Sequence, residues 1–158
     1  MNYKVTLLAA AVGSGLFLLA GQEPAPPAAF TSAQAEAGRA AYEKTCGQCH
    51  TPTLLGRKGE AGEVPLRSSL SPAYQKFIGP RGFVSPLAGK VFLDHWGAST
   101  AAQLIARFQE AVHVFPPDDK DPETAVNLTA YVLQVNGAKA GKQPLTRNTN
   151  AVVSALTR

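Results

Sequence analysis

Only two cysteines occur in the chain, three positions apart, and a histidine directly follows the second: Cys46-Gly47-Gln48-Cys49-His50. Side chains at i, i+3 and i+4 become neighbours when the backbone coils as a helix. The residues leading in, 38–45 (GRAAYEKT), are mostly good helix formers. The motif therefore reads as the end of a helix that presents two thiols and an imidazole together. The rest of the chain has to build around that point.

Four chemistries use such a pair of cysteines. A dithiol redox site also carries C-x-x-C, but at a strand-to-helix junction of an α/β fold, and no strand pattern precedes Cys46. Structural zinc needs further ligands, and His95 and His113 are the only other histidines. A disulfide across two intervening residues would staple almost nothing. The fourth is covalent haem attachment, for which C-x-x-C-H is the signature. Each thiol adds to one vinyl group, and the adjoining histidine, His50, reaches the iron. This chemistry is favoured, and it implies one covalent haem c.

At 158 residues the chain accommodates one domain with an export segment and tails. A domain of roughly 100 residues buries a core of limited size, so a haem would form much of the interior. Charged residues make up 16%, below the usual ~25%. The 14 glycines and 12 prolines point to extensive loops. The net charge of +4 is mild. Its tightest basic grouping, Lys139, Lys142 and Arg147, lacks interleaved aromatics, which argues against nucleic-acid binding.

Near the N-terminus, Lys4 precedes the uncharged apolar run 5–20 (VTLLAAAVGSGLFLLA). That run is shorter than the ~20 residues that span a bilayer comfortably. It reads as a signal peptide over 1–20, with an uncleaved anchor as the alternative; membrane association follows only in the second case. Both readings place the remainder outside the cytoplasm, in the periplasm or an equivalent space. Residues 21–30 form a Pro/Ala-rich linker, 31–137 the folded domain, and 138–158 a polar C-terminal tail.

Within the domain the spacing predicts a first helix opening at Thr31, with Gln34 completing a capping box. From 51 to about 89, proline and glycine predict a long loop with a short helix near 72–77. A further short helix is expected within 87–96. Thr100 and Gln103 repeat the capping-box spacing ahead of a stripe of Ala101, Leu104, Ile105, Phe108 and Val112. Phe115-Pro116-Pro117 breaks that helix. The last helix has Asp121 as cap, Pro122 in its first turn and Gly137 beyond its end, with Ala125, Leu128, Val132 and Val135 as core stripe. The fold class is all-α.

Three pieces, GRAAYEKTCGQCH, SPLAGKVFLDHWG and LTAYVLQVNGAKAG, resemble the class I cytochromes c over about 31–137. The nearest likeness is to the small cytochromes associated with quinoprotein (PQQ-dependent) dehydrogenases. The resemblance implies a cytochrome c-like fold of three to five helices around the haem, with long loops. It also implies that Gly38 and Tyr42 cross Tyr131 of the last helix. A proline carbonyl, matched here by Pro86 with Pro65 as the alternative, would accept a hydrogen bond from His50. Trp96 would pack near the haem edge or serve as an ordinary core aromatic.

The family's usual sixth ligand is a methionine ahead of the last helix. Phe115-Pro116 fills that place here, and the chain's one methionine is Met1. His113 is the leading substitute as a metal ligand. An open or water-bound iron, His95, or a lysine are the alternatives. The axial ligand strongly controls potential and reactivity. Taken together, the resemblance implies an electron carrier rather than an enzyme. Its redox partners would be an exported dehydrogenase as donor and an oxidase or another cytochrome as acceptor. A gas or redox sensor, or a subunit of an enzyme acting on a small inorganic substrate, is the alternative.

Overall fold

A computed structural model of the chain describes residues 29–56, 72–75, 84–111 and 121–157. The readings for the signal segment, most of the linker, Pro65, Val112, His113 and Phe115-Pro116-Pro117 fall outside those residues. Among the described residues every regular element is a helix. The only strand-like pairings there are isolated bridges, Phe30 with Ala140 and Thr100 with Val152. The helices are α1 (Ser32–Lys44), α2 (Gly47–His50), α3 (Pro72–Gln75), α4 (Gly89–Trp96), α5 (Ala101–Gln109), α6 (Pro122–Val135) and α7 (Val153–Leu156). None of these is long and apolar enough to cross a membrane.

The helix ends follow from local chemistry. Thr31 Oγ1 accepts from Gln34 N at 3.2 Å, and Gln34 Oε1 accepts from Thr31 N at 3.1 Å. Thr100 and Gln103 repeat this exchange at 3.2 and 2.9 Å ahead of α5. Each box satisfies two backbone N–H groups that the first helical turn cannot. Asp121 caps α6 through Glu123 N at 3.1 Å, and Pro122 opens the helix. Gly137 stands just beyond the end of α6 at φ +99°, a left-handed conformation suited to glycine.

Helices α1 and α6 form the principal packing pair, and α5 also packs on α6. A Cβ at Gly38 would overlap the Asn127 carbonyl and press on Tyr131 Cβ, so the two backbones touch there. One turn on, the Tyr42 ring lies 5.4 Å from that of Tyr131 at an interplanar angle of 54°. Ala35, Phe92, Leu104, Ile105, Leu128 and Leu133 are among the buried residues of this core.

Two expectations need correction. Val135, placed on the core stripe of α6, is 41% exposed. The buried surface of α6 instead takes in Val126, Thr129, Ala130 and Leu133 beside Ala125, Leu128 and Val132. Packing against both α1 and α5 widens that face beyond a single stripe. The segment after Gly137, read as a tail, is a strap folded onto the helices, with Leu145, Val153 and Leu156 buried. Gly141 N donates to Phe30 O at 2.7 Å, and the Gln34 amide exchanges bonds of 2.9 and 2.8 Å with the Leu145 backbone. Ala101 N and Ala102 N donate to Ala151 O and Thr149 O, both at 2.9 Å, so the strap also satisfies the start of α5. It is held by backbone bonds and widely spaced apolar residues, which leave no periodic signature.

The crossing at Gly38 predicts the effect of Gly38→Ala. Higher helix propensity would contribute about 1 kcal/mol. Overpacking against a fixed carbonyl costs about 1–3 kcal/mol, and the carbonyl wins. Denaturant titration should show the variant less stable than the wild type.

Candidate functional site

Helix α1 ends at Lys44, where Thr45 Oγ1 turns back to Ala41 O at 2.7 Å. A new turn then starts at Cys46, whose carbonyl accepts from Cys49 N at 3.1 Å and His50 N at 2.9 Å. The motif is thus one helical turn, and its two thiols and imidazole occupy positions i, i+3 and i+4 of a single face. Cys46 is buried and Cys49 partly so, and both are free thiols. Burial raises the pKa of both; for Cys46 the neighbouring Cys49 adds to the rise and the Thr45 hydroxyl opposes it. A redox dithiol needs the opposite perturbation.

Gly47, between the thiols, sits close to Tyr42, whose ring and carbonyl oxygen would each stand 3.3 Å from a Cβ there. The Tyr42 hydroxyl donates to Thr51 O at 2.6 Å. Past His50 the chain reverses through left-handed conformations at Thr51, Leu54 and Gly56, with φ of 64°, 63° and 61°. Gly56 N closes the loop onto His50 O at 3.1 Å. A Cβ at Gly56 would meet the Val84 carbonyl at 2.8 Å, so glycine admits the 84–85 backbone beside the motif.

That approach brings the Ser85 carbonyl to 2.8 Å from His50 Nδ1. The accepting carbonyl is therefore that of Ser85, one residue before the expected Pro86. Proline acts from downstream: the residue before it is confined to extended backbone, and its own φ is locked. A carbonyl can only accept, so the contact is a hydrogen bond when Nδ1 carries the proton. Nε2 of that neutral tautomer carries the lone pair. The site thus combines two protonated thiols with an imidazole oriented through Nδ1.

Pro86 is buried beside Ser85. Trp96, near the end of α4, packs against the core and meets the exposed His95 edge-on, with centroids 5.2 Å apart. Among the described residues no group of three or more His, Cys, Asp or Glu side chains is placed to hold a metal ion. Ser85, Gly47 and Thr51 escaped the sequence reading; the Ser-Pro dipeptide was the available signal for the first. No protein-family model, curated protein or solved structure matches the chain.

Burial, foremost, and the nearby Cys46 raise the Tyr42 phenol far above its ordinary value of about 10. The folded state therefore resists its ionisation while the unfolded chain does not. The resulting stability is complete below pH ~10 and is lost as pH rises above it. Stability measured between pH 8 and 11 should fall at the alkaline end. Tyr42→Phe should weaken that fall while lowering neutral-pH stability by about 1 kcal/mol through the lost bond to Thr51.

Proposed function

We propose that the chain is an exported single-haem c-type cytochrome of the class I kind, carrying electrons in the periplasm between a dehydrogenase and a downstream oxidase or cytochrome. The observation that carries this reading is the His50 Nδ1 contact with the Ser85 carbonyl, beside a one-turn helix bearing Cys46 and Cys49. A ligating histidine characteristically donates its second nitrogen to a carbonyl, which fixes the ring and raises its basicity.

The haem, when bound, supplies a one-electron ferric–ferrous couple. The chain's own residues do the rest. Cys46 and Cys49 would hold the group through two thioethers, each S–H adding across one vinyl double bond with no other product. His50 would offer Nε2 to the iron. Ser85 holds His50, and Pro86 and Trp96 contribute to the apolar enclosure. The all-α frame agrees with a cytochrome c-like fold, and the run 5–20 directs export.

The sixth position separates this reading from its alternative. With Met1 the only methionine, His113 is the proposed ligand, and an open site would make the protein a gas or redox sensor instead. A reduced spectrum unchanged by carbon monoxide, becoming responsive in His113→Ala, supports the carrier. Immediate binding by the wild type supports the sensor.

Protein made in a host with haem-attachment machinery should carry the added mass of one haem through denaturation and acid acetone, and should fractionate with the periplasm. Haem that extracts freely, or two titratable thiols in the purified protein, would refute the central claim.

A further inference from the structure

The carbonyl that meets His50 belongs to residues 84–88, which lie outside any helix until α4 begins at Gly89. A segment without its own ladder takes its position from outside anchors. One is the bond from Leu87 N to Leu54 O at 2.7 Å. The other is Asn136, at the end of α6, which is only 9% exposed. Its Nδ2 donates to Leu87 O at 2.9 Å and to Val132 O at 2.8 Å, and its Oδ1 accepts from Gly89 N at 3.0 Å.

The helix end is already closed by Asn136 N, which donates to Val132 O at 3.1 Å, and the Nδ2 bond to the same carbonyl only adds to it. The other two bonds run across the fold to both ends of the Leu87-Ala88-Gly89 turn. They also supply what the turn lacks, because Ala88, the residue ahead of α4, has no side chain able to cap its first N–H. We propose that Asn136 is a positioning residue for the His50 imidazole: by clamping 87–89 from α6 it fixes, through Pro86, the Ser85 carbonyl that orients Nδ1. The inference rests on His50 being an iron ligand and names the remote group that sets its orientation. Removing the clamp leaves the Leu87–Leu54 bond in place, so the segment loosens without leaving the fold.

The test uses the full chain with haem attached, reduced and labelled with nitrogen-15, as wild type, Asn136→Ala and Asn136→Asp. Thr129→Val is the control, a buried change in the same helix that removes only the Thr129 hydroxyl bond to Ala125 O. Two quantities are read: hydrogen exchange at His50 Nδ1–H and the reduction potential. Asn136→Ala should exchange roughly tenfold faster. Its potential should rise, since an imidazole without its acceptor is less basic. Asn136→Asp keeps the acceptor for Gly89 but loses the donor to Leu87, so its exchange should also be faster than wild type; because the new carboxylate charge acts on the potential directly, only exchange is read for this variant. Thr129→Val should lose stability yet keep wild-type exchange and potential. Either folded Asn136 variant behaving as wild type overturns the proposal, as does a control with the same shifts. If Asn136→Ala does not fold, the nearly isosteric Asn136→Asp decides. Haem attachment is scored separately by mass; if it fails, the proposed function is refuted, and the same exchange comparison made on the haem-free full chain still reports the clamp.

Discussion

Contact between two backbones organises this domain. At Gly38 the absence of a side chain lets the Asn127 carbonyl of α6 seat directly on α1. Because the helix axes come so close, Tyr42 reaches Tyr131 one turn later. From there its ring lies against Gly47 and its hydroxyl reaches Thr51. Both sides of the thiol-bearing turn are thereby referenced to the helix crossing.

Helix α6 serves the same site from a second place. Through Tyr131 it backs the ring that supports the Cys46–His50 turn, and through Asn136 it grips the 87–89 turn that follows Ser85. The thiols and the carbonyl opposite the imidazole come from segments 35 residues apart in sequence, as the His50–Ser85 contact records. One helix spans both and keeps their spacing fixed. The left-handed residues at 51, 54 and 56 then bend the chain tightly enough for the two segments to meet.

What the sequence made legible was local. Thr31 with Gln34, Thr100 with Gln103, and Asp121 ahead of Pro122 each signal a helix start within four residues, and each start is where the spacing placed it. The single-turn geometry of Cys46 to His50 is likewise set by short-range bonds. Long-range geometry was harder to read. Nothing in the Ser85-Pro86 dipeptide says which carbonyl will face a histidine, and nothing near Asn136 announces partners at 87 and 89. Val135 obeys the helical period of α6 yet is exposed, standing as the last residue of that helix. The strap after Gly137 escaped for a related reason: its anchors are backbone groups and apolar residues too far apart to repeat.

Gln34 is both the reciprocal cap of α1 and the clamp on Leu145, so one amide ties the first turn of α1 to a residue 111 positions later. Phe30 pairs with Ala140 across a similar span. A chain emerging from a ribosome N-terminus first therefore cannot complete the bonds of α1 to the strap until residue 145 has arrived. Contacts of such separation are slow to form. The delay leaves Cys46 and Cys49 within an incompletely closed chain for most of its emergence, a window in which their thiols remain open to chemical modification before the fold encloses them.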